Sequence, residues 1–167
     1  MITSLADFEK NWANESRATL RLLDAVTDAS LKQAVTPEDR TLGRVAWHIT
    51  TSIHEMMGRT GLSLKGPAPD APVPPTAAAI RAGYAEVAKS IVEQITSSWT
   101  DATLSIEDDM YGEKWKRGTT LMVLMHHEIH HRGQMTVLMR QAGLRVPGVY
   151  GPSREEWVNY GMPAPQV

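Results

Sequence analysis

The sequence predicts an all-α protein built as a four-helix bundle. Four stretches of about 20 residues each place apolar side chains at helical spacing. Cap residues and glycines punctuate them, with Thr41 and Thr119 ahead of two stretches and Gly61 and Gly143 just past their ends. The 167 residues, 42% hydrophobic and 22% charged, suit one globular domain spanning 1–167 that can bury a real core.

The first helix is expected from about Ser4 to Ala29, carrying Leu5, Phe8, Trp12, Leu20, Leu22, Leu23 and Val26. Glu15, Ser16 and Thr19 interrupt that stripe in inward phase. They read as a solvated stretch of helix in preference to a polar patch facing a pocket. Thr36-Pro37-Glu38-Asp39 combines a cap, a proline suited to the first helical position and an acidic first turn, which predicts a short helical turn.

The second long helix should run from Thr41 to about Arg59. Its inward line is Val45, His48, Ser52 and Glu55, while His54 lies about 240° round the helix from His48. Taken alone, His48 reads as a hydrogen-bonded core histidine before it reads as a ligand. Pro67, Pro69, Pro72, Pro74 and Pro75 make residues 61–75 a semi-rigid crossover, long enough for a connection between helices that are not neighbours. The third helix then starts near Pro75 or Thr76 and carries Ile80, Tyr84, Val87, Ile91 and Ile95.

Residues 100–118 lose the helical period. Leu104-Ser-Ile106 and Lys114-Trp-Lys116 alternate around a turn at Asp109 to Gly112, predicting a small hairpin or irregular loop. Thr119 caps the fourth helix, which should reach about Ala142. Beyond a Pro/Gly-rich loop, Ser153-Arg-Glu-Glu156 has the form of a capping box opening a short C-terminal helix.

Function concentrates in the fourth helix, whose residues 124–134 hold four of the six histidines. Residues four apart share a helix face, which pairs His127 with His131 and His126 with His130. Leu124, His131, Met135 and Leu138 form the apolar line, so His127 and His131 should face the bundle interior, where His48 can meet them. His126 and His130 fall toward a helix edge and read as supporting, surface or subunit-contact residues. Three neutral imidazoles with a fourth position left open is the pattern of a catalytic metal site. His127-Glu-Ile-His-His131 also fits the H-E-x-x-H zinc-peptidase signature, in which Glu155 or Glu156 would supply the third ligand. The small chain and the lack of a strand-rich region before the helix weigh against a peptidase.

Composition narrows the remaining classes. A net charge of −2, from 17 basic and 19 acidic residues, gives no footprint for nucleic acid. The chain has no cysteine, so disulfides and thiolate ligands are excluded and any sulfur nucleophile must come from outside. With no basic or apolar leader and no membrane-length apolar run, a cytoplasmic protein is expected.

Trp47-His48-Ile49, His127-Glu-x-x-His131-Arg-Gly-Gln134, Arg140-x-x-Gly143 and Tyr150-Gly-Pro-Ser-Arg-Glu-Glu-Trp157 together resemble the DinB-like superfamily. The resemblance covers nearly the whole chain. It implies a four-helix bundle with an unusual helix order, often a homodimer. It also implies a divalent metal ion (zinc, nickel or iron) held by His48, His127 and His131. Characterised members include metal-dependent transferases and isomerases that use low-molecular-weight thiols such as bacillithiol or mycothiol; the family's name implies no DNA chemistry.

The expected function is therefore metal-dependent transfer of a low-molecular-weight thiol to a small-molecule substrate. A metal-dependent hydrolase and a non-catalytic, stress-related metal-binding module are the alternatives. Glu128, beside a ligand, is the candidate to orient a histidine ring or move a proton, against the plainer reading of an exposed helix glutamate. Arg132 and Gln134 are expected to tie the helix to its neighbours. Tyr150, Arg154 and Trp157 either rim a pocket or belong to a docked C-terminal segment.

Overall fold

The computed structural model describes residues 1–166. Its four long helices are α1 (Leu5–Ala25), α2 (Leu42–Gly58), α3 (Ala77–Ser98) and α4 (Arg117–Gln141). Side-chain oxygens of Ser4, Thr41 and Thr76 accept backbone N–H groups at the starts of the first three. Left-handed Gly61 and Gly143 (φ 82° and 74°) follow the ends of α2 and α4.

Each apolar stripe meets the others in one core. Phe8, Trp12 and Leu22 of α1, Ile49, Ile53 and Met57 of α2, Ile80, Tyr84 and Ile91 of α3, and Leu121, Met135 and Met139 of α4 are almost wholly excluded from water. α1 and α2 each pack against both α3 and α4, so the order round the bundle is α1–α3–α2–α4. The diagonal steps are thus α1 to α2 and α3 to α4. The Pro-rich crossover, expected to allow a non-neighbour connection, instead joins two neighbours. It is tied down where Trp47 Nε1 donates to Ala71 O at 2.8 Å and His54 Nδ1 meets Pro67 O at 3.0 Å. Gly83 keeps the space there open, since a Cβ would come within 2.9 Å of both Trp47 and Pro67.

The hairpin before α4 is present as β1 (Glu107–Met110) and β2 (Glu113–Lys116), antiparallel with Asp108 opposite Trp115. Tyr111 and Gly112 both have positive φ (62° and 89°), the conformation of a two-residue turn whose twist matches the strands. Arg117 fastens the hairpin to the bundle, pairing with Asp108 at 2.8 Å and donating to Thr60 O at 3.0 Å.

Four local expectations are corrected. Residues 36–39 form a turn, with Asp39 N donating to Thr36 O, and the short 3-10 helix lies earlier, at Asp28–Lys32. There Thr27 and Ser30 exchange side-chain and backbone hydrogen bonds. Leu104 belongs to a second 3-10 helix, Asp101–Ser105, where Thr100 and Thr103 offer the backbone closer partners than a strand would. α4 begins at Arg117, directly off β2, so Thr119 is already helical. The C-terminal helix is one 3-10 turn, Trp157–Tyr160. Its capping box is half made: Glu156 accepts the Ser153 N–H at 2.9 Å, while the Ser153 hydroxyl has no partner. Among the described residues no helix is long and apolar enough to cross a membrane.

Candidate metal centre

His48 enters from α2, and His127 and His131 from successive turns of α4. One ring nitrogen from each lies within 4.8 Å of the others, a group that could hold a metal ion. Ring centroids are 4.4 Å apart for His127 and His131, 4.6 Å for His48 and His131, and 5.0 Å for His48 and His127. The three rings stand nearly perpendicular to one another, at 70° to 85°.

Hydrogen bonds set the orientation. Gln134 Oε1 lies 2.7 Å from His131 Nδ1, which makes that nitrogen the donor and leaves the Nε2 lone pair free. His131 Nε2 is then 3.1 Å from His127 Nε2. Two imidazoles on one tetrahedral zinc, with Zn–N of about 2.0–2.1 Å, would place their nitrogens about 3.3 Å apart. Ser52, one turn on from His48, sits 3.3 Å from His48 Nδ1. This donor set fits a divalent cation: three nitrogens converge, and two of the rings are held from behind.

Electrostatics keep the rings neutral, the form that binds metal. Burial, then the neighbouring imidazoles, then Arg40 lower the basicity of His48 and His127 to a pKa of about 4. His131 is also lowered by burial, against the opposing effect of its hydrogen bond to Gln134 Oε1.

The other histidines fall outside the centre. His126 and His130 are exposed, and the His130 ring lies against that of His131 with centroids 4.9 Å apart. His54, turned away from His48 as its phase implies, faces the Pro-rich crossover. Glu155 is taken by Arg140 at 2.5 and 2.8 Å, and Glu156 by the Gly148 and Ser153 backbone. Neither is a third ligand, which removes the peptidase arrangement.

Glu128 is neither an exposed glutamate nor a partner of the histidine rings. It is 1% exposed, and its Oε1 accepts hydrogen bonds from Thr19 Oγ1 and from Tyr84 Oη, the latter at 2.5 Å. Burial raises its pKa, and the Tyr84 hydroxyl is pushed well above its usual range by burial and the Glu128 charge. Arg132, 2% exposed, pairs with the Glu15 carboxylate, donates to Glu15 O at 2.6 Å and reaches Tyr150 Oη at 2.9 Å. Tyr150 in turn donates to Glu15 Oε2 at 2.6 Å. Glu15 and Thr19, expected in a solvated stretch, therefore form half of an interior polar network. Arg132 ties α4 to α1 as expected; Gln134, expected to do likewise, instead orients His131.

Beside His131 the bundle opens into a cavity of about 480 Å³ whose walls include Arg40, Gln134 and Leu138. Arg40 was not singled out in the sequence, being a loop residue outside any periodic pattern.

A four-helix bundle with three histidines converging beside an open cavity defines a class: DinB-like bundles with a candidate metal centre. Residues 1–164 match the DinB family model, and the chain belongs to the DinB family. It is 45% identical to the uncharacterized protein YrdA of Bacillus subtilis (strain 168) over 167 residues, the full length of both. A crystal structure of a DinB-like protein from Bacillus cereus ATCC 10987 superposes with a TM-score of 0.87 at 47% identity, covering 90% of this chain and 100% of that one. A second, YjoA of Bacillus subtilis, shares the fold at a TM-score of 0.67 and 20% identity, covering 86% of this chain and 96% of its own.

Proposed function

We propose that His48, His127 and His131 bind one divalent metal ion (zinc, nickel or iron) and that the protein transfers a low-molecular-weight thiol to a small electrophile. The observation that carries this reading is the convergence of three nitrogens within 4.8 Å at the edge of a cavity. Three protein ligands leave a position for a substrate atom. A divalent cation there would hold a thiol in its thiolate form at neutral pH. The chain's own residues supply the frame: Gln134 fixes the His131 tautomer and Ser52 steadies His48. The absence of cysteine supports an external thiol, because the protein carries no sulfur nucleophile of its own. A cytoplasmic homodimer is the setting the reading implies, and sizing at about twice the 18.5 kDa chain mass checks the dimer.

The test is conjugation of 1-chloro-2,4-dinitrobenzene with cysteine, glutathione, bacillithiol and mycothiol. A rate above background with at least one thiol, lost on chelation and restored by metal, is expected. No metal-dependent rate with any of the four overturns the transferase reading.

A further inference from the structure

Two charged side chains, Asp39 and Arg40, line the cavity beside His131. Arg40 makes no ion pair or hydrogen bond among the described residues, and its guanidinium is permanently charged. Asp39, its neighbour on the wall, is engaged by the Thr36 hydroxyl at 3.0 Å instead. Arg40 and His131 line the same cavity, so the guanidinium stands on the side where the histidine centre opens. Val35, Val45, Val137 and Leu138 line the same cavity. A cationic fork, aliphatic side chains and the His131 imidazole lining one cavity match an amphipathic anion.

We propose that this cavity binds a small carboxylate-bearing substrate, with Arg40 as the residue that recognises the carboxylate. A guanidinium takes a carboxylate through two parallel N–H···O bonds, and one fork matches one negative charge. A phosphate dianion would call for a second cation, and Arg44, the nearest on α2, does not line the cavity. With its carboxylate on Arg40 and its apolar part against Val137 and Leu138, the substrate places its reactive end beside His131. The inference deepens the metal-centre reading and rests on it for that last step alone.

The experiment titrates zinc-loaded and metal-free protein with 4-phenylbutyrate, its neutral amide 4-phenylbutyramide, and phenyl phosphate, followed by NMR shifts of Gln134 and Val137. The carboxylate should bind at least about tenfold more tightly than the amide. Arg40→Ala should erase that preference and Arg40→Lys should restore part of it. Equal binding of carboxylate and amide, an unchanged preference in Arg40→Ala, or tighter binding of phenyl phosphate overturns the proposal. Zinc content, measured on each sample, reports separately on the histidines. If no zinc is retained but the Arg40-dependent preference persists, the metal reading fails and carboxylate recognition stands.

Discussion

His127 Nε2 lies 3.1 Å from His131 Nε2 across one turn of α4, and His48 closes the triangle from α2. Two imidazole nitrogens at that separation either share a proton or share a cation. The Gln134 bond to His131 Nδ1 makes the second arrangement straightforward, because it frees the His131 lone pair toward the centre.

Gln134 should therefore matter to metal affinity although it touches no metal. Replacing Gln134 by Ala is expected to weaken zinc binding by about 10–100-fold, the usual consequence of removing a partner that orients a ligand. Gln134→Glu keeps an acceptor for the ring N–H and should retain most of the affinity. Competition with a chromophoric chelator reads both. An unchanged affinity in Gln134→Ala would show that this bond does not set the ring.

Arg132 and Glu15 join α4 to α1 with side chains 2% and 14% exposed. Arg132→Met leaves the Glu15 carboxylate and the Tyr150 hydroxyl without their cation, and a broken pair at this depth costs about 3–5 kcal/mol. Urea unfolding measures the loss. A change below about 1 kcal/mol would mean that the network adds little to folding.

Tyr84→Phe removes one of the two donors to Glu128 Oε1, whose companion Oε2 already has no partner. The expected cost is about 1–3 kcal/mol, because the carboxylate stays buried with one donor fewer. Thr19→Val should cost a similar amount by the same reasoning. Metal stoichiometry should stay at the wild-type value in both, since Glu128 faces away from the histidines. A metal loss in either variant at wild-type stability would couple the two clusters.

The C-terminal segment docks through Arg140 and Glu155, and the Arg140 hydrogen bond holds the Glu155 pKa down from 4.5 to about 2. A depressed carboxylate contributes stability above its unfolded pKa, and the contribution fades as pH falls from the ordinary carboxylate range through about 2. Carboxyl carbon NMR of Glu155 should titrate near 2 and move back toward 4.5 in Arg140→Ala. A midpoint near 4.5 in the unaltered protein would show that the pair is not formed in solution.

His127 and His131 were legible in the sequence because helical phase is local: four-residue spacing and the apolar line of α4 select them without knowledge of the fold. His48, read alone as a core histidine, joined them only through the α4 pair and the family resemblance. The four long helices and the hairpin follow from the same kind of local periodicity. Glu15 and Thr19 were misread because their partners are distant, Glu128 standing 109 residues from Thr19 and Tyr150 standing 135 from Glu15. No periodicity reports such a pairing. Glu128 itself carries the same lesson, since a glutamate between histidines reads as site chemistry until Tyr84 and Thr19 are seen to enclose it. Helix order round the bundle and the unpaired charge of Arg40 are set by tertiary packing, which leaves no mark at either position.

The metal content of protein purified without metal-affinity resin, in the wild type and in His48→Ala, His127→Ala and His131→Ala, bears on the three-histidine centre with the fewest assumptions. About one divalent ion per wild-type chain is expected, with each variant losing most of it while remaining folded by circular dichroism. An unaltered protein that takes up no divalent ion, or three variants that all retain it, would contradict the assignment.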